Sequence, residues 1–255
     1  MTTRYFINIS FKGTLYHGWQ LQPNAVTVQE ILEDVLSLVT GEKIRTTGAG
    51  RTDAGVHARS FYAHFDSLID SLHEDRKVIY RLNSLLPKDI SVNSLFRVLP
   101  DAHARFSALS RTYCYYISLA RDPFTFEYSW PLYPVPDIQL MNEACSLLLR
   151  YNDFTSFARL HSDVKTNICN VTMAFWERHG NRMVLTIKAD RFLRNMVRAI
   201  TGTAVDVGRG RLSVDEFEDI ILARDRCRAG KSAPASGLFL EDIEYPGNIF
   251  FRESQ

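Results

Sequence analysis

Between residues 48 and 58 the chain reads Gly48-Ala49-Gly50-Arg51-Thr52-Asp53-Ala54-Gly55-Val56-His57-Ala58. Three glycines bracket Arg51, Thr52 and Asp53. Glycine lets a backbone approach a ligand closely and take up angles closed to other residues. A carboxylate in such a loop is presented to its surroundings rather than laid on a helix face. It is ionised near neutral pH and can serve as a nucleophile. Arg51, two residues away, could hold a phosphate while Asp53 faces a reacting centre. Asp-x-Gly is also an ordinary turn signal, and local physics leaves both readings open.

A second stretch, Arg191-Phe192-Leu193-Arg194-Asn195-Met196-Val197-Arg198, spaces three arginines by three and four residues. On a helix this lines the guanidiniums along one face, with Leu193, Met196, Val197 and Ile200 on the apolar side. Like charges repel there and no acid four residues on relieves them, which suits an anionic partner. A solvated charged face is the plainer alternative. Arg198 borders the apolar side, and an arginine turned inward needs a carboxylate because a lone buried charge is expensive. In Arg111-Thr112-Tyr113-Cys114-Tyr115-Tyr116 a strand would put Tyr113 and Tyr115 on one face and Tyr116 on the other. A cleft-facing aromatic can stack on a base; packing in the core with the hydroxyl bonded at its edge is the other reading.

The elements that must position these residues are legible in outline. Tyr5, Ile7, Ile9 and Phe11 alternate as a half-buried strand. Thr27 with Glu30 opens a helix that Gly41 ends. A short strand near Ile44 precedes the glycine-rich loop, and Phe61, Ala63 and Phe65 alternate beyond it. A helix over 74–86 stops at Pro87, and a strand over 90–99 stops at Pro100. The order then repeats: a strand over 112–119, a helix capped by Asp137 and running to about 150, strands over 167–178 and 182–189 around His179-Gly180-Asn181, a helix from Phe192, a second helix capped by Ser213 and Glu216, and a strand over 238–243. Two β-α-β-β-α-β halves, residues 1–100 and 101–255, predict an α+β fold of duplicated ferredoxin-like units. Such halves join into one mixed, mainly antiparallel sheet with helices on one side and a central cleft, the default place for a site.

Composition narrows the function classes. The chain has 255 residues, 45% hydrophobic and 23% charged, as expected of a folded globular protein. Its formal charge is only +1, yet 23 of its 30 basic residues are arginine, the side chain whose planar fork suits phosphates and stacks on bases. Four dispersed cysteines and no His-Glu-x-x-His predict neither a redox pair nor a metal site. Gly230-Lys231-Ser232 resembles the end of a phosphate-binding P-loop, but Asp225 stands where the first glycine belongs. Gly48-x-Gly50 lacks the third glycine of a dinucleotide site, and no Gly-x-Ser-x-Gly elbow occurs. With no basic start followed by a long apolar run and no membrane-length apolar stretch, a cytoplasmic protein is predicted.

These stretches together resemble the tRNA pseudouridine synthase A family. Gly50 to Ala58 is similar to that family's signature around its catalytic aspartate. His103-Ala104-Arg105-Phe106-Ser107-Ala108 followed by Arg111-Thr112-Tyr113 resembles its tyrosine segment, and Asp153-Phe154-Thr155-Ser156-Phe157 resembles another block. Phe192-Leu193 with Met196-Val197-Arg198 and Gly202 resembles its basic helix, and Pro234, Gly237, Leu238 and Leu240 its closing strand. One departure is Ala102, where the family pattern has an aromatic before His103. The resemblance implies an isomerase without cofactor or metal that converts uridine to pseudouridine at positions 38, 39 and 40 of the tRNA anticodon stem-loop, working as a homodimer. It implies that Asp53 is the catalytic nucleophile, with attack on the sugar, attack on the base and a glycal route all open. It further implies that Arg198 pairs with Asp53, that Tyr113 stacks on the uracil or takes a proton, that Leu238 walls the ring and that Arg51 fills the space left by the flipped base. Arg191, Arg194 and Arg105 are further candidates for RNA contacts. A non-catalytic tRNA-binding or tRNA-folding protein of the same fold is the alternative. A one-carboxylate glycosidase is disfavoured, since such enzymes pair two acids.

Overall fold

A computed structural model describes residues 2–75, 77–159 and 166–251. Tyr5, Ile7, Ile9 and Phe11 do form a strand, β1 (Thr3–Phe11), but it is not half-buried: every residue from Tyr5 to Ile9 is buried, Asn8 included. The reason lies far away in sequence. Tyr245 and Phe250 cover Phe6 edge-on, with ring centroids 5.2 and 6.0 Å away. The segment around Phe250 is held by Leu99 N donating to Ile249 O (2.9 Å) and Phe251 N to Arg97 O (3.1 Å). The strand is therefore sandwiched, and alternation of burial disappears.

Two compact units divide the chain, one of residues 1–109 with 240–255, the other of residues 110–239. In the first, α1 (Val28–Thr40) starts where Thr27 Oγ1 accepts from Glu30 N and ends at left-handed Gly41, as its sequence signals dictate. β2 (Thr47–Gly48) is a two-residue strand paired with β3 (His57–Ser67). β3 pairs antiparallel with β1, which pairs antiparallel with β4 (Ile90–Arg97). The helix expected over 74–86 is shorter: α2 spans Val78–Leu85. Asp75 takes the Lys77 and Val78 amides through its side chain and carbonyl (both 2.9 Å) and so holds a turn ahead of it. Arg76 lies outside the described residues.

The second unit contains β5 (Ser110–Ser118), β6 (Trp130–Pro131), α3 (Ile138–Leu147), β7 (Val171–His179), β8 (Arg182–Ala189), α4 (Met196–Gly208) and α5 (Val214–Ala223). Asp137 caps α3 by accepting from Gln139 N and Leu140 N, and Ser213 with Glu216 forms a complete capping box on α5. β7 and β8 make a hairpin whose turn residue Gly180 has a positive φ. β9 (Leu238–Glu244) has its first two residues in the second unit and the rest in the first. Strand neighbours run β4-β1-β3-β9 in the first unit and β9-β5-β8-β7 in the second, with β2 also on β3 and β6 on β5. The pairings β1–β3, β1–β4, β2–β3, β5–β8 and β7–β8 are antiparallel, and β5–β6 is parallel. The fold class is the α+β arrangement expected, with a mixed, mainly antiparallel sheet and five α-helices. Among the described residues no helix is long and apolar enough to cross a membrane.

Candidate active site

Arg51, Thr52 and Asp53 lie on the loop between β2 and β3, and residues 12–19 clamp that loop. Trp19 N donates to Thr52 Oγ1 (3.0 Å), and Gly13 N donates to His57 Nδ1 (3.1 Å). Val56 N closes a turn on Asp53 O (3.2 Å), and Gly55 N donates to Tyr16 O (3.4 Å). Gly18 has φ +89°, and a Cβ there would collide with the Thr52 carbonyl oxygen. Only glycine meets both demands. Trp19 is itself pinned against Phe61 of β3, with centroids 4.3 Å apart. Thr52 is buried, Asp53 half-buried, and Arg51 and Ala54 are exposed. The carboxylate thus stands at the solvent boundary on a backbone held from two sides, the kind of fixed placement that positional catalysis requires.

The arginine stretch departs from expectation. α4 begins at Met196, not Phe192, so Arg191 and Arg194 precede the helix and do not share a face of it with Arg198. Backbone partners elsewhere explain this. Asp190 Oδ1 accepts from Asn170 N and Arg191 N (2.7 Å each), the Arg194 carbonyl accepts from Arg159 N (3.0 Å), and Asn195 takes φ +66°. Arg191 Nη1 donates to the carbonyls of Thr166 (3.3 Å) and Ile168 (3.5 Å). Arg194 is exposed. Arg198, half-buried on the first turn of α4, donates from Nε to Ala233 O (2.7 Å), while Ala233 N donates to Arg198 O (2.9 Å).

On β5, Tyr113 and Tyr115 share a face as the period requires, and the structure separates their roles. Tyr115 is fully buried and donates its hydroxyl to Pro234 O (2.9 Å). Burial drives its pKa far above the usual tyrosine value, with Arg198 acting in the opposite direction. It is the core tyrosine. Tyr113 is half-buried and meets Phe192 edge-on at 5.1 Å. Leu238, 6% exposed, opens β9 just after Gly237, which packs on the Tyr115 ring. Arg198, Tyr115, Ala233 and Pro234 therefore form one connected cluster in the second unit.

Arg105 lies in the first unit, exposed, on a turn closed by Ser107 N donating to His103 O (2.9 Å). His103 Nδ1 accepts from Arg105 N (3.1 Å), and Ala104 N donates to Nδ1 of buried His64 (3.1 Å). Burial, with His103 and Arg4 adding, pushes the His64 pKa down to about 4, so this ring stays neutral and keeps its acceptor. Ala102, the departure from the family pattern, is buried, and its carbonyl accepts from Arg4 Nη1 (3.1 Å). Gly230-Lys231-Ser232, which fails as a P-loop, leads into Ala233, whose carbonyl and amide both bond Arg198, and Arg226 donates to residues 229, 230 and 232 of the same segment. Their signal was a buried-loop role that only long-range hydrogen bonds reveal. Among the described residues no cluster of three or more His, Cys, Asp or Glu could hold a metal ion.

The first unit presents the braced Asp53 carboxylate, and the second holds Arg198, Tyr113 and Leu238. Comparison with known proteins gives the family. A sequence model of the family described as tRNA pseudouridine synthase matches residues 144–246. The chain is 53% identical over 248 residues to the tRNA pseudouridine synthase A of Bacteroides fragilis, covering 97% of this chain and 98% of that one. It is 50% identical over 247 residues to that of Parabacteroides distasonis, with 97% and 98% covered, and 40% identical over 242 residues to that of Bacillus licheniformis, with 93% and 97% covered. The chain belongs to the tRNA pseudouridine synthase A family, a family of isomerases.

Proposed function

We propose that this protein converts uridine to pseudouridine at positions 38, 39 and 40 of the tRNA anticodon stem-loop, with Asp53 as nucleophile. It does so as a cytoplasmic homodimer in which one tRNA touches both subunits. The observation that carries the reading is family membership over nearly the whole chain, joined to a half-buried Asp53 on a loop that cannot drift. The target uridine leaves its stack at a cost of a few kcal/mol, and exposed Arg51 takes the vacated space. Asp53 acts on the nucleotide as the N1–C1′ bond breaks. The uracil turns, the C5–C1′ bond forms, C5 gives up its proton and N1 takes one up, so composition is unchanged. Arg198 pairs with Asp53 and orients it, the role that an inward-turned arginine fills when it meets a carboxylate. Tyr113, the more open of the two same-face tyrosines, stacks on the uracil, and Leu238 walls the ring. Arg191, Arg194 and Arg105 add backbone contacts. No cofactor enters this chemistry.

The test uses Asp53→Asn and Asp53→Ala on unmodified tRNA transcripts carrying uridine labelled with tritium at C5. Both variants should bind tRNA and release no tritium. Release at the normal rate by either would remove Asp53 from the chemistry, whereas no release by the unmodified protein would leave a tRNA-binding protein. Light scattering at working concentration should give twice the chain mass, 29.2 kDa.

A further inference from the structure

We propose that Arg226 is a positioning residue for Arg198, acting through the strap formed by residues 229–234; this rests on the reading that Arg198 serves the catalytic carboxylate. Arg226 begins a single 3-10 turn, Arg226–Arg228, opened by Asp225, whose carboxylate accepts from Cys227 N (2.9 Å). Its guanidinium gathers the strap: Nη1 donates to Ala229 O (3.3 Å) and Gly230 O (3.2 Å), and Nη2 to Ser232 Oγ (3.0 Å). The same Ser232 oxygen accepts from Nδ2 of Asn195 (2.7 Å), the left-handed residue immediately before α4.

The strap lies directly on α4. Gly230 N donates to Thr203 Oγ1 (3.0 Å), and a Cβ at Gly202 would collide with the Lys231 carbonyl oxygen. Its far end closes on Arg198 by the paired bonds between Arg198 Nε and Ala233 O and between Ala233 N and Arg198 O. The next carbonyl, of Pro234, receives the Tyr115 hydroxyl. The direction of the Arg198 guanidinium is therefore set by where Ala233 sits, and the curvature that brings Ala233 there is set by Arg226. A planar fork can satisfy three acceptors in one loop; an ammonium on a flexible stem cannot do so in the same geometry. Gly230-Lys231-Ser232, which fails as a nucleotide site, thus has work as the middle of this strap.

The experiment compares Arg226→Gln, Arg226→Lys, Ser232→Ala and Arg198→Lys, alone and with Arg226→Gln added to Arg198→Lys, by single-turnover rate and tRNA affinity. Displacing a positioned group by about an ångström costs up to about 100-fold in rate. Arg226→Gln should therefore lower kcat by about 10- to 100-fold with KM within about twofold, and Arg226→Lys should recover part of the loss. On the Arg198→Lys background the same change should cost less than about threefold, because coupled residues are not additive. If Arg226→Gln fails to fold, Ser232→Ala, which removes one acceptor, should still lower kcat about threefold without a change in affinity. Unchanged kcat in a folded Arg226→Gln or Ser232→Ala, a loss confined to KM, or full additivity with Arg198→Lys would each overturn the inference. Impaired Arg198→Lys beside normal Arg226→Gln would defeat the strap's role alone; normal turnover by Arg198→Lys would defeat the reading of Arg198 and this inference with it.

Discussion

The loop that carries Asp53 and the strap that turns Arg198 are held by opposite means. The loop is braced mostly through the main chain: Gly18 presses on the Thr52 carbonyl, the amides of residues 55 and 56 donate to backbone carbonyls, and the amides of residues 13 and 19 donate to the buried side chains of His57 and Thr52. The strap is gathered by side chains, Arg226, Asn195 and Thr203, each donating to or accepting from it. A backbone clamp has no adjustable part, so a change there is all or nothing. A side-chain clamp has several partners, so loss of one is graded.

Five outcomes sharpen or break that contrast. The largest concerns the group the loop presents: with Asp53 as the proposed nucleophile, Asp53→Ala should lower turnover by at least about 1000-fold with the fold intact. Next, Gly18→Ala should destabilise the protein by about 2–4 kcal/mol in urea titration and abolish most activity, because φ +89° and the Thr52 carbonyl both oppose a side chain. A Gly18→Ala protein with normal stability would mean the clamp yields after all.

One of the clamp's two side-chain bonds comes third. Thr52→Val strands the Trp19 amide and should cost about 1–3 kcal/mol, the penalty of a buried donor without its acceptor. Fourth, the turn around Ala104 in the first unit is held by side chains, among them His64, whose Nδ1 accepts from Ala104 N. The His64 pKa is lowered in the folded state to about 4, so the unfolded chain takes up its proton first. Stability should be unaffected above pH 6.5, fall as pH drops from about 6.5 to 4, and lose at most about 3 kcal/mol. His64→Gln should flatten that dependence; an equally steep fall in the variant would assign it to other groups. The smallest effect is expected at the exposed Arg194: replacement by Ala should leave kcat alone and reduce the salt slope of tRNA binding by about one, the signature of one phosphate contact.

How much was legible follows the same division. Caps are local, so Thr27, Gly41, Asp137 and the Ser213–Glu216 box were readable and hold. Glycines around Asp53 announced a constrained backbone, though not that its partner would be residues 12–19. The start of α4 was misread because the 191–198 spacing is helical on paper, while Asp190, Arg159 and Asn195 give residues 190–195 other backbone partners. The burial of β1 on both faces was hidden for a like reason: its second cover comes from residues 245–250.

By itself the sequence determined the α+β order of elements, the presented carboxylate at Asp53 and the family, because caps, turns, alternation and motif spacing are short-range properties of the chain. Only tertiary structure decided which tyrosine of β5 is core and which is open, that Arg191 is occupied with backbone carbonyls, and that Arg226 donates to the strap beside Arg198. Those choices depend on which carbonyls are left over once the sheet and helices have taken their own hydrogen bonds. Buried acceptors must find donors, and the donors that reach them come from residues whose proximity no local pattern records.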